Sequence, residues 1–253
     1  MQCKIFMDKI RFTGELPAGS YLNGIPAVRW LRDNKELCFD SPVTILCGEN
    51  GAGKSTLIEA IAIKCGFNPE GGTKNYCFST SDTHSPLHAA LTVSRLARER
   101  DGYFLRAESF YNASTYLEEL DKIKCPLPPV LDSYGGASLH TRSHGEAFMA
   151  LMENRFGGNG LYILDEPEAA LSPMRILRML VRIHELVERG SQFIISTHSP
   201  IVMAYPGAVI YELSQKGIER THWRATEHYA VTKWVLDDDN AVEKLLNESE
   251  NDK

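Results

Sequence analysis

The fold of this chain is decided by the stretch Gly48-Glu49-Asn50-Gly51-Ala52-Gly53-Lys54-Ser55-Thr56, which contains a complete G-x-x-x-x-G-K-[ST] pattern. Its glycines allow the backbone to wrap closely, so that successive N–H groups can point at phosphate oxygens. The apolar run 43–47 precedes it as a buried strand would, and a helical pattern follows over residues 55–65 and stops before Gly66. This setting argues against a chance glycine-rich turn.

The lysine and serine that end the pattern predict how a nucleoside triphosphate is held. Lys54 is expected to reach the β- and γ-phosphates, and the Ser55 hydroxyl is expected to ligate Mg²⁺. The helix that starts here directs its positive N-terminal end at the same phosphates. We therefore assign all of residues 48–56 to nucleotide binding and predict Mg²⁺ beside them.

Two further apolar runs, residues 161–164 and 193–196, have the same character as 43–47. Each is too short for a helix and too uniformly apolar for a half-exposed strand, so each predicts a central strand covered on both faces. Helical patterns lie between the runs, which indicates an α/β fold with a mostly parallel sheet. Ligands of such sheets gather at the carboxyl ends of the strands.

Three polar residues follow these two runs and are candidates for the chemistry. Asp165 ends the second run, where a carboxylate would hold the water shell of Mg²⁺, and Glu166 is the candidate general base for an attacking water. His198 follows the third run and is placed to hydrogen-bond the γ-phosphate. An acidic loop and a structural histidine are the alternatives, and the neighbouring phosphate loop argues against both.

A long helix is predicted from Ser172 as N-cap, with Pro173 in its first turn and Gly190 beyond its end. Its expected apolar stripe is Ile176, Leu180, Ile183 and Val187. Its other face carries Arg175, Arg178, Arg182 and Arg189. A solvated face is the simpler interpretation of this arginine row, and contact with DNA or a protein partner is the alternative.

The composition is that of an ordinary globular protein: 253 residues, 43% hydrophobic and a net charge of −6. No linker divides the chain, so a single domain over 1–253 is predicted. The negative charge argues against nucleic-acid binding over the whole surface. Six scattered cysteines fit free thiols in a reducing cytoplasm. No apolar run approaches membrane-spanning length, so direct membrane insertion is not expected.

Together these motifs resemble the ABC ATPases, and specifically the small bacterial AAA-family ATPases of the RecF-like and structural-maintenance-of-chromosomes branch. The resemblance extends over nearly the whole chain. It includes residues 106–112, 143–146, 165–172 and 197–200. It implies the fold of an ABC-type ATPase head, hydrolysis of ATP, and a homodimer that forms on ATP binding.

The signature motif that the resemblance implies is Ser143-His144-Gly145-Glu146, which lies 22 residues before Asp165. In the family this motif contacts the γ-phosphate bound by the other subunit, which makes Ser143, Gly145 and Glu146 candidate nucleotide contacts. Ser143 with Glu146 three residues later is also an ordinary capping box for the following helix. Both interpretations can hold, because a capped helix N-terminus is itself an anion site.

Several positions depart from the family pattern. Arg142 stands in place of the usual leucine before the signature, Glu146 in place of the transporter-type glutamine, and Ser172 in place of the usual D-loop aspartate. No clear Q-loop glutamine is present, and Glu108 is the candidate metal ligand in that place, with Ser109 and Asn112 as alternatives. Arg11 and Tyr21 are candidates for the adenine contact.

The region of about 68–142 is predicted to form a small inserted helical subdomain and the loop before the signature. Only 86 residues separate Thr56 from Ser143, which leaves no room for a long coiled-coil arm. The prolines and glycines of 126–136 predict a loop within it.

These features predict a cytoplasmic ATPase that acts as a nucleotide-driven motor or switch for a protein partner. By resemblance, that partner is a DNA-processing or phage-defence component, with DNA reached through the partner. The alternative is the nucleotide-binding subunit of a membrane transporter, which would normally show L-S-G-G-Q and a Q-loop glutamine. A GTPase is set aside because residues 232–235 lack the aspartate of the base-reading motif.

Overall fold

The computed structural model describes residues 4–74, 85–106 and 143–251. In chain order, its strands are β1 Met7–Phe12, β2 Glu36–Cys38, β3 Val43–Gly48, β4 Leu91–Arg95, β5 Asp101–Arg106, β6 Gly160–Asp165, β7 Gln192–Ser196, β8 Val209–Ser214 and β9 Gly217–Thr221. Its helices, numbered over the same ranges, are α1 Pro26–Asn34, α2 Lys54–Lys64, α3 Leu87–Ala90, α4 His144–Asn154, α5 Pro173–Glu188, α6 Pro200–Met203, α7 Glu227–Asp237 and α8 Ala241–Asn251. Short 3₁₀ turns lie at Tyr21–Gly24 and Trp223–Ala225.

The large sheet confirms the predicted α/β fold. Over the described ranges its strand order is β5-β6-β7-β3-β8-β9, with only β8 and β9 paired antiparallel. The three strands predicted from apolar runs are β3, β6 and β7, and every residue of each is buried. They are neighbours and parallel, so their carboxyl ends lie at one edge of the sheet.

A smaller antiparallel sheet of order β2-β1-β4 packs beside the large one. The side chain of Gln192, at the start of β7, connects the two sheets. Its Oε1 accepts hydrogen bonds from the backbone N–H groups of Phe6 and Met7, each at 2.9 Å. Its Nε2 donates to the Met7 carbonyl at 2.8 Å. Because all three residues are buried, these bonds satisfy backbone groups that water does not reach.

Two apolar cores cover the two faces of the large sheet. One contains α1, α2 and the small sheet, and the other contains α4, α5 and α6. Helix α2 is buried along most of its length, as expected for the helix that follows the phosphate loop. The predicted helix from Ser172 is α5, and Ser172 occupies the N-cap position without a side-chain hydrogen bond.

The arginine row of α5 is solvated at Arg178, whose side chain is 68% exposed, and at Arg189, but it is not solvated along its whole length. Arg182 is only 12% exposed, and it donates to the carbonyls of Met152 and Phe156 at the end of α4. Arg175 and Arg178 pair with Glu146 and Glu153 of α4. These arginines therefore hold α5 against α4.

The predicted insertion of about 68–142 needs a correction. Residues 91–95 and 101–106 are β4 and β5, and β5 forms the edge of the large sheet, so these residues belong to the sheets and not to an inserted helical subdomain. The rest of the predicted insertion, including the loop 126–136, falls mainly on residues outside the described ranges and stays a prediction.

Three cysteines in the described ranges, Cys38, Cys47 and Cys65, carry free thiols. Among the described helices, none has the length and apolarity needed to cross a bilayer.

Replacing Gln192 with leucine should lower the free energy of unfolding by about 2–4 kcal/mol, because three buried backbone groups lose their partners. Urea titration followed by circular dichroism measures the loss. The matched control is Gln215→Leu at an exposed position, where a change within about 0.5 kcal/mol is expected. Equal losses for the two variants would show that Gln192 does not connect the sheets.

Candidate functional site

The candidate site forms where β3, β6 and β7 end. Ser196 pairs in register with Leu46 of β3 on one side and with Asp165 of β6 on the other. On the outer side of β6, Arg106 at the end of β5 pairs with Asp165. The parallel register therefore brings the phosphate loop, the two carboxylates and the segment with His198 to the same edge of the sheet.

The phosphate loop has the backbone conformation that its glycines predict. Gly48 has φ +121°, and a Cβ there would lie 2.0 Å from the Leu213 carbonyl oxygen of β8. Gly53 has φ +104°, and a Cβ there would lie 2.4 Å from Cγ2 of Ile25. Side chains at either position would collide with fixed neighbours, so only glycine permits this wrapped loop. The glycine pattern is therefore explained by local packing as well as by phosphate approach.

Lys54 is held within the loop that it is expected to serve. Its Nζ donates to the carbonyls of Gly48 at 2.7 Å and Glu49 at 2.8 Å, and the residue is 5% exposed. Burial lowers the pKa of Lys54, while the nearby carboxylates of Glu166 and Asp165 act in the opposite direction. The ammonium group thus lies in a poorly solvated place, where an anionic phosphate would be a favourable partner.

Ser55 and Asp165 form the candidate magnesium site. The Ser55 hydroxyl, at the start of α2, lies 3.4 Å from Asp165 Oδ1. Burial raises the pKa of Asp165 to about 6, even though Arg106 favours its ionised form. A buried carboxylate beside a hydroxyl offers the hard oxygen ligands that Mg²⁺ prefers, and the cation would favour the ionised form. These two residues therefore fit the predicted ion.

The side chains of Glu166 and His198 lie next to each other beside the phosphate loop. Glu166 has φ +51°, an uncommon conformation for a residue with a side chain, and its N–H donates to the Ser196 carbonyl. Its Oε1 lies 3.3 Å from His198 Nε2. Burial, followed by the charge of Lys54, lowers the pKa of His198. The geometry therefore places a carboxylate beside a histidine that favours its neutral form.

Two residues that the sequence interpretation missed hold His198. Glu168 Oε1 accepts hydrogen bonds from the Thr197 hydroxyl and from the His198 N–H, the latter at 2.9 Å. His228, on α7, places its Nε2 2.9 Å from His198 Nδ1. Glu168 lies two residues after Glu166 and could have been suspected. Nothing local in the sequence connects His228 to His198, because 30 residues separate them.

A cavity of about 250 Å³ opens between these elements. Its lining consists of Ile25, Asn50, Gly51, Gly53, Lys54, Ser55, Thr56, Glu166 and His198. The candidate adenine contacts Arg11 and Tyr21 are not in this lining, and Arg11 pairs with Glu36 on the small sheet instead. Ile25, at the start of α1, was not anticipated. The cavity therefore joins the loop to the carboxylate–histidine pair within one chain.

The signature residues lie on a different element, at the start of α4. Ser143 is the N-cap, and the capping box with Glu146 is present as predicted. Arg175 of α5 reaches both, through Ser143 Oγ at 3.4 Å and Glu146 Oε1 at 3.1 Å. A Cβ at Gly145 would lie 2.8 Å from the Ala170 carbonyl oxygen, so this position needs a glycine for packing. None of these residues lines the cavity described above.

Glu108, the candidate metal ligand in place of a Q-loop glutamine, lies outside the described residues, as do its alternatives Ser109 and Asn112. Its place near the ion stays a prediction. Strand β5, which precedes Glu108 in the chain, ends at Arg106, and Arg106 pairs with Asp165. The chain therefore reaches residue 106 at the same edge of the sheet as the candidate magnesium site.

Two family models match the chain. Residues 23–124 match the family "AAA domain", and residues 137–204 match the family "AAA domain, putative AbiEii toxin, Type IV TA system". The first range contains the phosphate loop, and the second contains the signature, both carboxylates and His198. The two matches together therefore include every predicted phosphate, metal and catalytic residue, but not the candidate adenine contacts Arg11 and Tyr21.

Several known proteins are similar to the chain. "ABC transporter G family member 22" of Arabidopsis thaliana is 27% identical over 62% of this chain and 23% of its own length. "Putative ribose/galactose/methyl galactoside import ATP-binding protein 2" of Agrobacterium fabrum is 27% identical over 76% of this chain and 41% of its own length. The chain thus spans less than half the length of these two relatives.

A solved ATP-binding cassette of an ABC transporter is also similar, with 16% identity and a TM-score of 0.49 over 95% of this chain and 98% of that chain. The name of the first relative describes an ABC transporter, that of the second an import ATP-binding protein, and the two family matches are AAA domains. The fold, with its phosphate loop at the end of β3, is that of a P-loop NTPase. By sequence, the chain is thus similar to ABC-type and ATP-binding transport proteins, and it matches AAA-domain models over two separate ranges.

Proposed function

We propose that Glu166 is the general base of ATP hydrolysis and that His198 acts on the γ-phosphate. The observation that carries this proposal is the pair itself: Glu166 and His198 lie 3.3 Å apart and line one cavity with Lys54 and Ser55. A water between Glu166 and the γ-phosphate would give its proton to the carboxylate as its oxygen attacks phosphorus and ADP leaves. His198 would donate a hydrogen bond to a γ-phosphate oxygen.

The other residues of the cavity hold the substrate. The loop N–H groups of residues 48–56 surround the β-phosphate, and Lys54 exchanges its carbonyl partners for β- and γ-phosphate oxygens. Ser55 and Asp165 would hold Mg²⁺, which would supply positive charge beside the phosphate oxygens. Glu108 is proposed as a further contact to the ion's water shell.

We propose that two chains form a dimer on ATP binding, with each nucleotide held between them. The cavity of one chain contains the phosphate loop and the catalytic pair but not Ser143, Gly145 or Glu146. Ser143 and Glu146 are exposed at the N-terminus of α4, which favours anions. Two-fold symmetry places the signature of each chain opposite the phosphate loop of the other.

The proposed role is that of a cytoplasmic motor or switch for a protein partner in DNA processing or phage defence. The description of the second matching family, which names a toxin of a toxin–antitoxin system, supports a defence role. DNA is proposed to be reached through the partner. Arg175, Arg178 and Arg182 are engaged with α4 or with neighbouring carboxylates, so they offer little charge for direct phosphate contacts.

A transporter subunit is the second candidate, because the names of both sequence relatives describe transport proteins. The signature Ser143–Glu146 supports it less, since it lacks the L-S-G-G-Q sequence. Purification of a Glu166→Gln chain in the presence of ATP separates the candidates. A soluble protein partner supports the first, and an integral membrane partner supports the second.

Replacing Asp165 with asparagine should abolish hydrolysis while stabilising the nucleotide-free chain. The pKa of Asp165 is raised from 3.8 to about 6 by burial, so its ionised form destabilises the fold above pH 6. Only well below pH 3.8 is the group protonated in both the folded and the unfolded state, and there the penalty disappears. We expect a gain of about 1–2 kcal/mol in unfolding free energy at pH 7.5 and almost none near pH 3.

Urea unfolding with EDTA at the two pH values measures this difference, and phosphate release measures the loss of activity, expected to be at least about 100-fold. The control is Asp239→Asn at an exposed position, which should change neither quantity. A destabilised Asp165→Asn chain at pH 7.5 would contradict a buried, penalised carboxylate.

Replacing Glu166 with glutamine should slow hydrolysis by about 10²–10⁴-fold and leave ATP affinity largely intact, because the amide cannot accept the proton of the water. Lys54→Ala should instead weaken ATP binding, because it removes a phosphate contact. Single-turnover hydrolysis and equilibrium binding of a fluorescent ATP analogue measure the two effects. Turnover of Glu166→Gln within a few-fold of the wild type would move the base elsewhere, with His198 the next candidate.

A mixture of two inactive variants tests the shared site. Ser143→Asp keeps a good helix cap but places a negative charge opposite the γ-phosphate of the facing site, whereas Ser143→Asn keeps the cap without the charge. We expect Ser143→Asp to lose hydrolysis while still binding ATP, and Ser143→Asn to remain active. A Lys54→Ala chain has the opposite defect, a failed loop with an intact signature.

Mixed in equal amounts with free exchange, half of the dimers are hybrids that hold one intact site, so about a quarter of wild-type sites should return. Steady-state ATPase activity of the mixture is compared with that of each variant alone. If hybrids form and the mixture shows only the average of two inactive proteins, the shared site is wrong and Ser143 is only a helix cap.

A further inference from the structure

Three side chains form a line that leads from the cavity to helix α7. Glu166 Oε1 lies 3.3 Å from His198 Nε2, and His198 Nδ1 lies 2.9 Å from His228 Nε2. The two imidazole centroids are 5.1 Å apart. His198 and His228 are both part-buried. One nitrogen of His198 thus faces the cavity, and the other faces a second histidine.

The short contact between the two histidines limits where their protons are. A hydrogen bond between two ring nitrogens needs one N–H and one lone pair, so either His198 Nδ1 or His228 Nε2 carries the proton. If His198 donates, His228 must carry its own proton at Nδ1. That atom is buried and has no hydrogen-bond partner in the described part of the chain.

A buried N–H without a partner costs more free energy than the arrangement in which the same nitrogen carries only a lone pair and the proton is used in a hydrogen bond. His228 therefore carries its proton at Nε2 and donates to His198 Nδ1. Nδ1 of His198 is then an acceptor, and the proton of a neutral His198 ring must be on Nε2. This is the nitrogen that faces Glu166 and the cavity.

The first turn of α7 is fixed in place, which gives His228 a defined position. Buried Thr226 caps the helix by accepting from the Tyr229 N–H at 3.3 Å, and its hydroxyl donates to the Trp223 carbonyl at 2.7 Å. The Glu227 N–H donates to Glu212 of β8 at 3.1 Å. Beyond Tyr229, every residue of α7 is exposed. The anchored turn is thus the part that carries His228.

We propose that His228 is a positioning residue that fixes the Nε2–H tautomer of His198, so that His198 presents a hydrogen-bond donor to the γ-phosphate. This inference rests on the proposed role of His198. His228 acts only through His198, because it does not line the cavity. Without its N–H, neutral His198 can adopt the other tautomer, which turns a lone pair toward the phosphate and repels it.

The kinetic test compares variants that lose or keep the donor. His228→Leu should lower kcat about tenfold with KM for ATP changed by less than about twofold, since orientation of a catalytic group is lost but the phosphate loop is untouched. His228→Gln keeps an N–H donor and should recover most of the rate. The control is His222→Asn, which replaces an exposed histidine outside the cavity lining and keeps a side-chain cap for the turn Trp223–Ala225, with kcat unchanged. Equal rates for the leucine and glutamine variants would overturn the proposal.

Two further measurements separate positioning from a general loss of structure. In a His198→Ala background, His228→Leu should cause no additional loss of kcat, because its effect passes through His198. Additive losses would overturn the proposal. Long-range ¹H–¹⁵N correlation spectra of the intact protein should show His198 protonated at Nε2, and this state should be partly lost in His228→Leu.

The spectra also distinguish the two proposals from each other. If His198→Ala hydrolyses ATP like the wild type, the proposed role of His198 fails, whereas the tautomer measurement still supports or overturns the role of His228. A wild-type spectrum with the His198 proton on Nδ1 would overturn the positioning role whatever the activity of the variants.

Discussion

The parallel register of β6, β7 and β3 is the constraint on which the site depends. Ser196 pairs with Asp165 on one side and with Leu46 on the other, so the ends of three buried strands are fixed relative to each other. Each strand then needs only its next one or two residues to reach the cavity. Because the register is held by backbone bonds in a core covered on both faces, the positions of Glu166 and His198 depend little on loop flexibility.

How much the sequence could predict follows from how local each signal is. The phosphate loop, the two carboxylates and His198 are contiguous with apolar runs, so residue order alone placed them at strand ends. The capping box of Ser143 and Glu146 is also a local pattern, and it is present. By contrast, His228 and Ile25 reach the site from α7 and α1 through tertiary packing, and no spacing in the sequence relates them to it. The strands β4 and β5 were assigned to a predicted insertion because a short strand-like pattern does not show which sheet the strand joins.

The arginines of α5 also show what a sequence pattern leaves undetermined, which is the tertiary contact made by a helix face. Their spacing correctly predicted a helix face, but periodicity does not say what covers that face. Arg182 donates to two carbonyls at the end of α4, and Arg175 reaches the cap of the same helix. Helix α5 therefore contacts the signature residues Ser143 and Glu146 through Arg175. A change in the distance between these helices would move Ser143, which connects the core of the chain to the surface proposed to face the second subunit.

Several residues around the cavity have environments or backbone conformations that lower the stability of the folded chain. Asp165 is buried with a raised pKa, Glu166 has a backbone conformation that side chains disfavour, and Lys54 is a buried ammonium held by carbonyls. A nucleotide with its magnesium ion would remedy two of these at once, because phosphates pair with Lys54 and the cation pairs with Asp165. Binding energy from the substrate is thus directed at groups that the folded chain alone leaves poorly satisfied. In the proposed function these are the groups whose partners would differ between the free and the nucleotide-bound chain, so a change in the protein would begin at them.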